Sequence, residues 1–237
     1  MTEAQEHSPG LVLRGVAAPL KLNEFRVIAF DMDSTLISIE CVDEIADAVG
    51  RKAEVSAITE AAMRGEITDY KESLRRRVAL LRGVTTQDLE QVYHQRLKVN
   101  PGAAELILAC KSAGLKVLLV SGGFTFFAER LRQRLGLDFA RSNQLEIVDG
   151  VLTGRMLDQC WGDICDATQK KQTLMETCSL LGCTTSQAIA MGDGANDLEM
   201  MAVAGLSVAY HAKPKVRAQA KVSIESGGLN RLLEVFG

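Results

Sequence analysis

Four aspartates, a lysine and a glycine-rich turn carry the chemistry this sequence offers. Asp31 and Asp33 stand two residues apart in DMDST, directly after the apolar run Arg26–Phe30 (RVIAF). That spacing can put both carboxylates on the same side of the chain. Close carboxylates repel unless something positive sits with them, and Mg²⁺, which prefers oxygen ligands, would serve. Asp193 and Asp197 in GDGAND follow another apolar run, Gln187–Met191 (QAIAM). An aspartate after a strand often does no more than cap a helix. Four acidic groups converging on one edge point instead to a metal site. Ser121 in SGGF offers a hydroxyl, and Gly122 and Gly123 let an anion approach the backbone closely, although a lone SGG is also an ordinary strand-to-helix turn. Lys170 could supply a fixed positive charge, but as a surface lysine it would be solvated, and Lys171 is a rival. Carboxylate, Mg²⁺, hydroxyl, lysine and glycine N–H together are the parts for phosphoryl transfer, where the task is to position and neutralise the transferred oxygens.

These groups need a frame that brings them to one place. Arg26–Phe30, Leu115–Val120 (LKVLLV) and Gln187–Met191 read as short buried strands, each followed at once by a polar, glycine-containing or acidic loop. Leu206–Ala209 and Val222–Ile224 are weaker strand candidates, separated by a short helix after Pro214. Helical patterns alternate with them. Ala103, Leu106, Ile107 and Cys110 form an apolar face after Pro101-Gly102 and before Gly114. Phe127, Leu131 and Leu135 precede Gly136, and Lys170–Leu181 is helical. Asp149-Gly150 between alternating apolar residues predicts a hairpin within Asn143–Met156. Strand–helix alternation of this kind predicts an α/β fold, a Rossmann-like parallel sheet with helices on both faces. Ligands then bind beyond the carboxyl ends of the strands, where DMDST, SGGF and GDGAND would meet.

Between the first and second strands lies a long helical stretch. Val42, Ile45, Ala46 and Val49 define one helix face that stops at Gly50, and helical pattern runs on to about residue 97 with breaks near Gly65 and Gly83. The domains expected are therefore a lead-in over 1–24, an α/β core over 25–40 and 100–237, and a helical cap over 41–99. Residues 1–20 read as a loose or weakly ordered lead-in. They contain no basic and apolar leader pattern, so no signal peptide is expected.

Composition narrows the function classes. Of the 237 residues, 47% are hydrophobic and 24% charged, the balance of a packed globule rather than a disordered chain. The net charge of −3 disfavours a general nucleic-acid binder. No apolar stretch is long enough to span a bilayer. The six cysteines form no Cys-x-x-Cys pair and do not cluster with His7, His94 or His211, so reduced thiols in a cytoplasmic protein are expected rather than a zinc site.

DMDSTLI resembles the nucleophile motif of the haloacid dehalogenase-like phosphatases, and SGGF, Lys170 and GDGAND match their second, third and fourth motifs in order. The strings DMDSTLISIECVDEIA, EAAMRG…Y…SLRRRV, VSGGFTFF and MGDGANDLEMM…AGLSVAYHAKP are similar to the bacterial phosphoserine phosphatase family over about residues 25–225. The resemblance implies that Asp31 is the nucleophile and Asp33 the general acid and base. It implies Mg²⁺ held by the Asp31 carboxylate, the Asp33 backbone carbonyl and Asp193, with Asp197 orienting the ion's surroundings or Lys170. Ser121, Gly122 and Lys170 would hold phosphoryl oxygens, the family spacing choosing Lys170 over Lys171. Asn196 would contact the phosphoryl group or its water. Glu40 and Arg77 would take the ammonium and carboxylate of O-phosphoserine, with Met63 and Tyr70 closing over it. Without the resemblance, Arg77 belongs to the run Arg75-Arg76-Arg77, ordinarily a solvated face, Glu40 is an acidic helix start, and Met63 and Tyr70 are core residues. Longer members of the family carry an amino-terminal regulatory domain, expected here to be absent or vestigial.

The expected activity is hydrolysis of O-phosphoserine through an aspartyl-phosphate, the last step of serine biosynthesis, on a small-molecule substrate with no nucleic acid or membrane partner. One alternative is a phosphatase or phosphotransferase for another phosphorylated amino acid such as phosphohomoserine. Another, of a different class, is a phospho-acceptor signalling module, which would need neither an acid/base at Asp33 nor a helical insertion.

Overall fold

In the strand Val27–Phe30, Ile28 and Phe30 enter one core and Val27 and Ala29 another, so all four residues must be apolar. This double-sided burial organises the whole chain. The computed structural model describes residues 4–64 and 66–237, apart from the side chain of Met63. The expected break at Gly65 and the expected contact of Met63 lie outside the described residues.

The strands are β1 (Ala4–Ser8), β2 (Leu11–Arg14), β3 (Val27–Phe30), β4 (Lys116–Phe124), β5 (Phe139–Val148), β6 (Val151–Leu157), β7 (Ala188–Gly192), β8 (Leu206–Tyr210) and β9 (Val222–Ile224). The helices are α1 (Cys41–Ala48), α2 (Lys52–Met63), α3 (Tyr70–Ala79), α4 (Thr86–Gln91), α5 (Ala103–Ser112), α6 (Thr125–Leu135), α7 (Ala167–Leu180), α8 (Leu198–Val203) and α9 (Pro214–Arg217). The sheet order is β1-β2-β9-β8-β7-β3-β4-β5-β6. From β9 to β5 every neighbouring pair is parallel, and the antiparallel pairs lie at the two ends. Leu106 and Cys110 of α5 and Phe127 and Leu131 of α6 pack into one core. Leu174 and Cys178 of α7 and Met200 of α8 pack into the other. The fold is α/β, with helices on both faces of a parallel sheet.

Register makes the site possible. Phe30 pairs with Leu119 on one side and Met191 on the other. The three expected loops therefore leave the sheet at one level, and Asp31 N–H donates to Met191 O at 2.9 Å. SGGF belongs to β4 rather than to a loop, with a register shift between Val120 and Phe124. DMDST makes a helical turn, Met32–Leu36, with Ser34 at φ 56°. α1 to α5 lie between β3 and β4, the first four of them within residues 41–99. Asp149 and Gly150, at φ 50° and 77°, form the expected hairpin turn, and Val151 beyond it bridges to Thr85.

The lead-in is not loose. β1 and β2 form a hairpin, and β2 adds to β9 through Leu11↔Ile224 and Leu13↔Val222. Leu11 and Leu13 point into the core while Val12 and Arg14 do not, the period-2 pattern of a strand. Arg231 ties the turn down, donating to Pro9 O at 2.6 Å and Ser8 Oγ at 2.7 Å. Four residues of alternation are too short to announce a strand without the β9 edge that receives them.

Candidate active site

Each loop delivers its groups to a cavity of about 540 Å³ at the carboxyl ends of β3, β4 and β7. Asp31 leaves β3 and is 95% buried, exposing 5%. Lys170, in the first turn of α7, donates to Asp31 Oδ1 at 2.6 Å and to Asp197 Oδ1 at 2.7 Å. Lys170 and Asp197 are wholly buried, whereas Lys171 is only half-buried. The side of α7 that packs on the sheet thus selects one lysine of the pair. Asp197 Oδ2 accepts the N–H of Gly194 at 3.0 Å and of Asp193 at 3.2 Å. A side chain at Gly192 would lie 2.3 Å from Asp197, so the close turn needs glycine there.

Asp31, Asp193 and Asp197 present carboxylate oxygens within 4.8 Å of one another. Lys170 faces them from the interior, and the Lys213 charge at the cavity also pulls on Asp193. Burial and the Asp197 charge push the Asp31 carboxyl well up, against the pull of Lys170. Burial, Asp197 and Glu40 push Asp193 up to about 6. Such a set holds more negative charge than its own cation balances, and its donors are all oxygen. It fits a hard divalent cation such as Mg²⁺.

Asp33 stands beside this cluster. Its Oδ2 accepts the Cys41 N–H at 3.2 Å, and its Oδ1 is buried without a hydrogen-bond partner among the described residues. Burial, then Glu40, raises its carboxyl to about 7. A carboxyl that titrates near neutrality can both give and take a proton.

Ser121, 1% exposed, accepts the Gly123 N–H at 2.8 Å. A side chain on Gly122 would meet the Tyr70 hydroxyl at 2.2 Å. Tyr70 opens α3 and lines the cavity beside Gly122. Asn196 also lines the cavity. Glu40 caps the start of α1 and accepts the Ser34 hydroxyl at 2.7 Å. The three arginines of α3 separate by helical geometry. Arg75 pairs with Asp163 and Arg76 with Glu72, both exposed, while Arg77 lines the cavity with its Nε buried and unpartnered among the described residues. Of the residues expected from sequence, Asp31, Asp33, Glu40, Tyr70, Arg77, Ser121, Gly122, Asp193 and Asn196 share one cavity. Lys170 and Asp197 lie behind its wall.

Other residues carry weight that the sequence hides. Asn143 of β5 is wholly buried and donates to Gly122 O at 2.7 Å, while its Oδ1 accepts the Cys165 N–H at 2.8 Å. Thr35 donates to Asp193 Oδ1 at 3.4 Å. Lys213 lines the cavity and donates its backbone N–H to Asp193 O at 3.1 Å. A polar residue at the head of a hairpin gives no sign of such a contact. A second cavity, of about 520 Å³ between α6 and α7, is lined by none of these residues.

A family model described as haloacid dehalogenase-like hydrolase matches residues 25–205. A phosphoserine phosphatase of Albidiferax ferrireducens is 70% identical over 229 residues, covering 97% of each chain. A solved structure of a substrate-bound phosphoserine phosphatase complex superposes with a TM-score of 0.81 at 36% identity, over 90% of this chain and 99% of the other. A structure of a phospho-aspartyl intermediate analogue of phosphoserine phosphatase matches with the same TM-score, identity and coverage.

Proposed function

The chain belongs to the haloacid dehalogenase-like hydrolase family, and we propose that it is a phosphoserine phosphatase, hydrolysing O-phosphoserine to serine and phosphate. One observation carries the substrate. The cavity that holds Asp31 also holds the guanidinium of Arg77, whose Nε is buried without a partner among the described residues, and a carboxylate, Glu40. Phosphoserine brings one carboxylate, one ammonium and one phosphate, and each meets its complement there. The identity of 70% to a protein bearing that activity's name supports the same reading.

Asp31 attacks phosphorus with Oδ2, Lys170 holding Oδ1. The P–O bond to serine breaks as Asp33, protonated near neutrality, gives its proton to the leaving oxygen. Asp33 then takes a proton from water, which attacks the aspartyl-phosphate, releasing phosphate and restoring Asp31. Ser121, the Gly122 backbone and Lys170 hold the phosphoryl oxygens, and Asn196 contacts them or the water. The Asp31 carboxylate, the Asp33 carbonyl and Asp193 would hold Mg²⁺. When bound, it supplies positive charge against the phosphoryl oxygens. Asp197 orients Lys170, and Met63 and Tyr70 close over the substrate. Residues 41–99 act as a cap on a core of 25–40 and 100–237, onto which residues 4–14 pair. An exposed acceptor module would not need this enclosed amino-acid end.

In the cell this reaction is the last step of serine biosynthesis. The six cysteines are unpaired, and among the described residues no helix is long and apolar enough to cross a membrane. Unpaired thiols support a cytoplasmic enzyme.

The reading is tested by phosphate release from O-phosphoserine, phosphohomoserine, phosphothreonine and an aryl phosphate, with Mg²⁺ and after chelation. Phosphoserine is expected to have the highest kcat/KM, and chelation to abolish turnover until Mg²⁺ is restored. Asp193→Asn should raise the Mg²⁺ concentration needed for half-activity at least tenfold or remove activity altogether. Full turnover after exhaustive chelation would exclude the metal.

The amino-acid end has its own test. Arg77→Ala and Glu40→Gln should each lower kcat/KM for phosphoserine, relative to the aryl phosphate, by roughly tenfold to a hundredfold, the worth of a charge-assisted contact. Equal losses on both substrates would assign Arg77 to the solvated basic face of its helix.

A further inference from the structure

Asp43 follows Glu40 by three residues and stands in the first turn of α1. It lines the same cavity as Glu40 and Arg77. Its Oδ1 is buried and has no hydrogen-bond partner among the described residues. An aspartate in a first helical turn is ordinarily explained by the helix dipole. That accounts for a solvated carboxylate, not for an oxygen buried without a partner, which costs free energy unless something arrives to meet it. Burial pushes the Asp43 carboxyl up, with Arg77 and then Lys52 offsetting part of the rise. Lys52 itself pairs with Asp47.

Glu40, Asp43 and the Arg77 guanidinium therefore line one cavity. Glu40 is already engaged by the Ser34 hydroxyl through Oε1. Resting on the phosphoserine reading, we propose that Asp43 is a second acceptor for the substrate's ammonium, and so a specificity-determining residue. In an α-amino acid the ammonium and carboxylate share one carbon. A carboxylate docked on Arg77 carries its ammonium to the acidic side, where Glu40 and Asp43 flank it. The same arrangement rejects the wrong substrate. A phosphorylated carboxylic acid without the amine leaves Glu40 and Asp43 without the ammonium that would meet them while its own carboxylate stands near both, and such like-charge apposition adds to discrimination.

The test compares kcat/KM of wild type and Asp43→Asn, each normalised to an aryl phosphate. The substrates are O-phosphoserine, O-phosphoethanolamine, which has the amine alone, and 3-phosphooxypropionate, which has the carboxylate alone. Asparagine preserves shape and removes the charge. The variant should lose roughly tenfold or more on both amines and hold or gain on 3-phosphooxypropionate. Losses on phosphoserine and 3-phosphooxypropionate that spare phosphoethanolamine would show that Asp43 acts by holding Arg77, and would overturn the proposal. An unchanged profile, or equal losses with the aryl phosphate included, would do the same. A wild-type enzyme that cleaves the aryl phosphate and not phosphoserine would overturn the substrate reading itself. Failure of the Asp43 role alone leaves wild-type phosphoserine turnover intact.

Discussion

Replacing Asp31 with asparagine is expected to lower kcat for phosphoserine by about a thousandfold or more, as loss of a nucleophile does, with the melting temperature held or raised. The two parts have separate causes. Activity falls because an amide cannot form the acyl phosphate. Stability holds because the native carboxylate is buried against Asp197 and Asp193, and its charged form is disfavoured there. Asparagine keeps the shape and an oxygen to accept from Lys170. Steady-state kinetics and thermal melts measure both effects. Trapping with a phosphoryl mimic, followed by peptide mapping, should place the adduct on Asp31. An adduct on Asp33 or Asp193 would reverse the assignment.

Lys170→Met is expected to remove activity and to destabilise the fold by about 3–5 kcal/mol, the usual result of stripping one partner from a buried ion pair. Lys170 is wholly buried, and its two partners, at 2.6 and 2.7 Å, are buried with it. Without it, two carboxylates remain in the interior with no other buried cation among the described residues. Burial and Asp197 already push the Asp31 carboxyl up, and without the pull of Lys170 its folded-state affinity for protons rises further above that of the unfolded chain. Such groups cost stability where they are ionised in both states, and the cost fades as pH falls through the raised folded value. The melting-temperature gap between wild type and variant should therefore be widest at neutral pH and above and narrow on acidification. A gap independent of pH would mean that the loss is one of packing alone. Excess Mg²⁺ should recover part of the stability, since a cation bound to Asp31 and Asp193 replaces some of the missing charge.

The two variants describe one electrostatic design from opposite sides. Burial and Asp197 disfavour the charged form of Asp31, and Lys170 opposes them from within the protein. A cation bound at the acidic cluster would add to that opposition. Asp33 feels Lys170 more weakly: among the described residues no ammonium hydrogen-bonds it, and burial, then Glu40, raises it to about 7. In the proposed mechanism, two aspartates two residues apart thereby divide into nucleophile and proton carrier.

The order of buried strands and the loops that follow them is legible in the sequence because each is a local pattern. Runs such as VIAF and AIAM must be apolar throughout when both faces of the sheet are covered, and a parallel sheet puts their carboxyl ends at one edge. Asp31, Asp33, Ser121 and Asp193 follow from that rule. The period-3.6 stripes of α1, α5 and α6 and the Asp149-Gly150 turn are equally local. What only the tertiary structure decided are choices between like residues and contacts between distant ones. Three consecutive arginines look alike in sequence, and the packing of α3 over the cavity turned Arg77 inward and left Arg75 and Arg76 to surface carboxylates. The packing of α7 chose Lys170 over Lys171 in the same way. Asn143 reaches Gly122 across 21 positions, and Asp43 shares a wall with Arg77 across a helix-to-helix gap. The Leu11–Arg14 strand exists because β9 offers it an edge, more than 200 residues along the chain. Periodicity records which face of an element is buried. It does not record what waits on the other side, and that neighbour decides whether a polar side chain meets water, a partner or a substrate.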